Sequence, residues 1–338
     1  MKRWPFFSAG LLFLIMVFLS MGFGLFFITP AKKGASKQVV IVKNGSTVEE
    51  VARELEKRKI ISSRISFKLW ARMKGVTKKI KAGEYLLSPN MPPIKILEIL
   101  NKGAVITHAV TIPEGYTRKQ IGQLLDKENL ADKDEFLSLT EKPLFLKKYG
   151  ISGQTLEGYL YPDTYRFARG VPVSSIIEAM VKRFLQVIGP LKGRADELKM
   201  ELKEVIILAS IIEKETGRSE ERPLIASVFL NRLRRNMSLG SDPTVIYGMD
   251  GFNGNLTRKD LETPTPYNTY ILQGLPAGPI GNPGLEAIKA VLYPAKTDYL
   301  YFVSKNDGSH HFSRTLSEHN RAVQVYQKGR GWEKAKNS

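Results

Sequence analysis

The residues best suited to chemistry lie in the stretch Leu208 to Gly248, LASIIEKETGRSEERPLIASVFLNRLRRNMSLGSDPTVIYG. An apolar run from Val205 to Ile212 stops at Glu213. A helix that apolar lies against a core on most of its circumference. Ala209 and Ser210 sit one turn back from Glu213 and Ile206 two turns back, on the face that carries the carboxyl. A carboxyl half-buried among such neighbours holds its proton above the usual pKa, which is what a general acid needs near neutral pH. A second reading fits the same residue: Glu-Lys-Glu is a common surface tripeptide, and Glu213 then merely begins the solvated end of a helix. Glu215 would point about 200° round the helix from Glu213, so the two do not read as a close dyad. No histidine pair has HExxH or other zinc spacing, so no metal site is expected.

Other candidates surround this stretch. Tyr247, Tyr267, Asn268 and Tyr270 fall in loop-like, proline-rich sequence after Glu213, and such loops commonly line sites. Leu156 to Tyr165 is dense in aromatic rings, which either stack on sugars or pack into a core. Glu157 and Asp163 lie within it. Asp242-Pro243 has the form of an N-cap followed by proline at the first helical position. Arg232, Arg234 and Arg235 read as a solvated face, the usual role of a charge run, or else as a contact surface for an acidic ligand.

The elements that must position these residues follow from pattern. Trp4 to Ala31 is uncharged, and its apolar heart is long enough to cross a bilayer as a helix of ~20 residues. It is longer than a typical signal-peptide core and lacks a small-x-small cleavage site, so an uncleaved anchor at residues 5–28 is expected. Residues 1–4 are then a cytoplasmic tail and the body lies outside the cytoplasm. Lys2 and Arg3 favour that orientation, although Lys32 and Lys33 weaken the argument. After a linker over residues 29–37 the chain repeats itself weakly. Val40 to Thr47 and Val110 to Thr117 each read as a strand, a glycine turn and a capping threonine before an amphipathic helix. Thr47 with Glu50, and Thr117 with Gln120, would each close a capping box. Gly83 to Leu87 reads as a returning strand and Ile94 to Asn101 as a short helix. Ser175 with Glu178 opens a further helix, with Ile176, Ile177, Met180, Phe184 and Val187 inward. Glu220 to Arg235 is the next helix, and Tyr299 to Val303 a tyrosine-rich strand. Strand–helix units followed by a helix-rich body make an α+β fold.

Bulk composition bounds the function. The 338 residues suffice for two domains, or for one plus smaller modules, and 43% hydrophobic content supports a sizeable core. There is no cysteine, hence no disulfide framework, thiolate nucleophile or thiolate metal site. A net charge of +18 favours an anionic partner: nucleic acid, an acidic membrane surface or an acidic cell-wall polymer. The N-terminal anchor argues against nucleic acid.

Several segments together resemble the MltG/YceG family of membrane-anchored endolytic murein transglycosylases. They are Ala209 to Thr216, Glu221-Arg222, Ala226 to Leu233, Asp242 to Gly248, Leu261 to Pro264, Tyr267 to Tyr270, Gly274 to Pro276 and His319-Asn320. The resemblance covers roughly residues 38 to 327. It implies that Glu213 is the catalytic acid, and that the strand–helix–helix–strand unit is a LysM-like glycan-binding module, although a packing module fits the same pattern. The expected organisation is a LysM-like module at 38–105, a second strand–helix module and connection at 106–172, a catalytic domain at 173–328 and a disordered tail at 329–338. A segment similar to Leu156 to Tyr165 occurs in the family, and the Tyr267-Asn268 pair is similar to the Tyr-Asn pair of soluble lytic transglycosylases. The implied reaction cuts the bond between N-acetylmuramic acid and N-acetylglucosamine inside nascent strands and leaves 1,6-anhydro ends. Implied partners are peptidoglycan, the lipid bilayer through residues 5–28, and cell-wall synthesis proteins such as penicillin-binding proteins. A tethered glycan-binding scaffold without catalysis and a hydrolysing muramidase are the two rival readings.

Overall fold

The computed structural model describes residues 29–32, 34–76 and 80–328. The expected anchor at 5–28, the tail at 1–4 and residues 329–338 lie outside the described residues. Among the described residues no helix is long and apolar enough to cross a membrane. The described residues form an α+β architecture of short helices and three two-stranded sheets. The chain divides into two compact units, one ending at Ala109 but including Arg166–Pro172, the other containing Val110–Tyr165 and Val173 onward.

In the first unit, strand β1 (Gln38–Val42) precedes helices Val48–Lys57 and Arg64–Met73 and then strand β2 (Gly83–Leu87). The strands pair antiparallel, with Gln38 opposite Leu87 and Val42 opposite Gly83. The order is the βααβ read from the sequence, and a third helix, Pro93–Lys102, follows. Alternation explains the sheet: Val40 and Val42 point into the core while Val39 and Ile41 face out. Thr47 and Glu50 close the capping box that starts the first helix. Leu55, Phe67, Tyr85, Ile96 and Leu100 are fully buried at the centre, each contributing on the order of 2 kcal/mol.

Strand β3 (His108–Thr111) pairs with β4 (Thr164–Phe167). In the second unit, Thr117 and Gln120 close the second capping box, opening helix Arg118–Lys127. Helix Val173–Ile188 starts two residues before Ser175, so Ser175 does not cap it, and Ile188 rather than Val187 is its last buried residue. The core of this unit is helix Leu202–Glu215, packed against Arg222–Arg234 and Leu285–Leu292. Its residues Val205 to Ile212 are all buried, as the apolar run requires. β5 (Tyr301–Ser304) and β6 (His310–Ser313) form a hairpin, two residues later than the expected strand. Arg232 is not part of a solvated face: its guanidinium donates to the carbonyls of Leu300 at 2.6 Å and Leu239 at 2.7 Å, holding two loops against the helix.

Candidate active site

The site is built at the C-terminal end of helix Leu202–Glu215. Because eight consecutive residues of that helix are buried, its last turn delivers Glu213 directly from the core to the edge of the unit. Ser210, one turn earlier on the same face, donates to Ile207 O at 2.7 Å and accepts from Ile280 N–H at 3.0 Å. That bond pins the loop before helix Leu285–Leu292 to the helix that carries Glu213. Four residues further along that loop, the N–H of Gly284 donates to Glu213 Oε2 at 2.9 Å. From the first turn of the next helix, Arg222 Nη2 lies 2.7 Å from Glu213 Oε1.

Both side chains are nearly closed off, Glu213 at 6% exposure and Arg222 at 9%. Burial raises the pKa of Glu213 above the ordinary carboxylate value; the Gly284 N–H and Arg222 oppose this without reversing it, while the charge of Glu114 adds to it. Glu114 shares the same guanidinium, 3.6 Å from Arg222 Nη2, and is itself half exposed. It is carried by the turn after β3, where Gly115 adopts φ +74°. That left-handed conformation is what the glycine permits, and a Cβ there would lie in ordinary contact with Glu213 Cγ at 3.4 Å. The turn is clipped to the Gly284 loop by Asn282: Gly115 N–H donates to Asn282 O at 2.8 Å, and Asn282 N–H to Tyr116 O at 2.9 Å.

Asn282 also links Glu213's surroundings to a second carboxyl. Its Nδ2 donates to Glu157 Oε1 at 2.9 Å and its Oδ1 accepts from Leu160 N–H at 2.8 Å. Glu157 is 3% exposed and accepts further from Arg118 N–H at 2.9 Å and Tyr247 Oη at 3.0 Å. Burial pushes its pKa up to about 7 against those hydrogen bonds. Glu157 and Tyr247 face a cavity of about 1030 Å³ whose wall also includes Lys214 and Tyr267. Glu213 itself is not in that wall, although the next residue is.

The candidates read from the sequence separate into groups. Tyr247 and Tyr267 come together, rings 4.8 Å apart and edge to face, on the cavity. Tyr270 instead donates to Asp242 Oδ1 at 2.5 Å and does not line the cavity. Asn268 is fully buried, and its amide donates to Leu261 O at 2.9 Å and Thr263 O at 2.8 Å, which shapes the loop. Asp242 is the first helical residue, with Ser241 at the N-cap, because Ser241 is the residue with extended backbone. Asp163 pairs with Arg183 at 2.7 Å. Glu215 turns away from Glu213 and accepts from Ser241. Sequence reasoning assigned no role to Glu114, Asn282 or Gly284; Asn-Pro-Gly at 282–284 was the available signal. Among the described residues no group of three or more histidine or acidic side chains is placed to hold a metal ion.

Comparison with known proteins converges on one family. The YceG-like family model matches residues 40–325. An endolytic murein transglycosylase of Bacillus subtilis is 35% identical over 324 residues, 90% of this chain and 89% of that protein. One from Streptococcus pneumoniae is 30% identical over 328 residues, 87% of this chain and 59% of that longer protein. The crystal structure of a yceG-like protein of Listeria monocytogenes aligns with a TM-score of 0.60 at 36% identity, covering 86% of this chain and all of that one. The chain belongs to the YceG-like family.

Proposed function

We propose that this protein is an endolytic murein transglycosylase with Glu213 as its acid and base. The observation that carries the assignment is the desolvated carboxyl of Glu213, held on one oxygen by Arg222 and on the other by the Gly284 N–H. Burial favours the protonated form that gives a proton to the oxygen between N-acetylmuramic acid and N-acetylglucosamine. Arg222 and the Gly284 N–H then stabilise the carboxylate left behind. That carboxylate takes the proton of the C6 hydroxyl, whose oxygen closes on C1 to give the 1,6-anhydro sugar. The proton returns to Glu213, and no water enters the products. Names of relatives support the substrate, since proteins 30% and 35% identical are endolytic murein transglycosylases.

One observation favours a second reading. Glu114 shares Arg222 with Glu213, so a second carboxylate stands near the acid, as water-activating hydrolysis needs. Glu114 would then act as base in a hydrolysing muramidase.

The apolar stretch at 5–28 motivates the cellular role: it tethers the enzyme to the cytoplasmic membrane with the catalytic unit outside, close to newly made polymer. There the enzyme cuts inside nascent strands and limits their length, beside penicillin-binding proteins and other synthesis proteins. The βααβ unit is proposed as a LysM-like glycan contact. The test is digestion of long uncrosslinked strands by the full-length protein. Early appearance of mid-length fragments with anhydro ends supports endolytic cutting; release of disaccharides from one end contradicts it.

A further inference from the structure

We propose that the lysine-lined cavity beside Glu213 receives the carboxylates of the peptide carried on muramic acid, so that the enzyme selects strands that still bear their peptides. The inference rests on the murein reading and names the part of the substrate this cavity takes.

Lys119, Lys203 and Lys214 all line the cavity. None of the three has an ion pair or hydrogen-bond partner among the described residues. The other cation of the wall, Arg118, is already engaged by Glu141 at 2.6 Å. The one carboxyl among the lining residues, Glu157, is satisfied by Arg118 N–H, Tyr247 and Asn282 and forms no ion pair with a lysine; its charge and that of Glu213 act on Lys214 only at longer range, favouring the charged amine against burial. The wall thus presents long, unpaired cations that neutral sugar hydroxyls do not require and that carboxylates would satisfy.

The spacing fits a short peptide. Lys203 and Lys214 stand at opposite ends of helix Leu202–Glu215. Eleven residues make just over three whole turns, so both point to one face, about 16 Å apart along the axis. That is the reach of about five extended residues. Position fits as well. Lys214 follows the acid directly, and wall residues Gly278 to Ile280 run straight into the Gly284 N–H that holds Glu213. The peptide hangs from the same sugar whose C1 reacts, so it must lie close to the acid when the bond is cut. A free lactyl carboxylate on a strand stripped of peptide offers the same chemistry, and the experiment separates the two.

The test compares kcat/KM of the full-length protein on peptide-bearing strands and on strands stripped by an amidase. The variants are K119M/K203M and the control K127M, whose lysine lies exposed on the same helix as Lys119 but outside the cavity. Wild type should prefer peptide-bearing strands, and the double variant should lose roughly fivefold to tenfold of that preference, through KM. K127M should keep it, and added salt should erode it in wild type. An unchanged preference in K119M/K203M overturns the proposal, as does an equal loss in K127M, which would mean long-range attraction. A wild-type preference for stripped strands that the double variant loses also overturns it, in favour of the lactyl carboxylate. A wild type that cleaves neither substrate overturns instead the murein reading beneath.

Discussion

Glu213 and Arg222 face each other at 2.7 Å, both nearly closed off from solvent, and yet the carboxyl holds its proton above the ordinary range. Burial outweighs the guanidinium. The pairing therefore leaves a group that is an acid when protonated and has a prepared partner once it has given the proton away. Glu213→Gln removes the transferable proton while keeping size and shape. Cleavage should fall by roughly a thousandfold with thermal unfolding little changed, measured by fragment release and by calorimetry on the same preparations.

Arg222→Met should separate the guanidinium's two effects. Loss of a positive charge favours the protonated acid, so the pKa of Glu213 rises further. Because the acid must be protonated to act, the alkaline limb of the pH–rate profile should move to higher pH while the maximal rate drops. Breaking a nearly buried pair should also cost roughly 3 kcal/mol of stability. A limb that moves to lower pH would contradict the assignment.

Two further carboxyls tie stability to pH. Glu157 and Glu215 are each pushed up to about 7 from the ordinary 4.5, chiefly by burial. Between those values the folded chain holds protons that the unfolded chain has released, so their contribution to stability falls as pH rises through the window and levels off above it. Stability of Glu157→Gln and Glu215→Gln relative to wild type should therefore improve from pH 5 to pH 8. Denaturant melts across that range check the sign.

Gly158→Ala should unfold the cavity wall. Gly158 sits at φ +87°, and a Cβ there would lie 2.6 Å from Pro279 Cγ and 2.8 Å from Ile206 Cγ2. The backbone and the space both forbid it, and a loss of roughly 3 kcal/mol is expected in an equilibrium melt.

Deleting residues 1–31 should move the protein from the membrane fraction to the soluble fraction. Cells with only that form should show altered strand lengths, read by chromatography of glycan strands. Normal lengths would remove the argument for tethering.

What was legible in the sequence was local. The capping boxes at Thr47 and Thr117 close as read, because each depends on residues three apart. Val205 to Ile212 is buried throughout, because an all-apolar helix has no face to leave outside. What depended on partners outside any regular spacing was not legible. Arg232 lies in a charge run but donates to the carbonyl of Leu239, seven residues on, and to that of Leu300, 68 residues on. Asn268 is polar and flanked by tyrosines, yet the loop consumes its amide. Glu213 could be singled out, but the Gly284 N–H that meets it comes from 71 residues away. No periodicity encodes that distance. The Glu157–Asn282 bond, 125 residues apart, was hidden for the same reason.

The central claim is that one carboxyl, Glu213, transfers the glycosyl bond to the sugar's own C6 oxygen. The direct measurement is digestion of uncrosslinked strands in ¹⁸O-labelled water by wild type and Glu213→Gln, read by mass spectrometry. Anhydro-ended fragments without label, absent with Glu213→Gln, are the predicted result. Fragments heavier by one labelled water would contradict it and turn attention to Glu114 as the base.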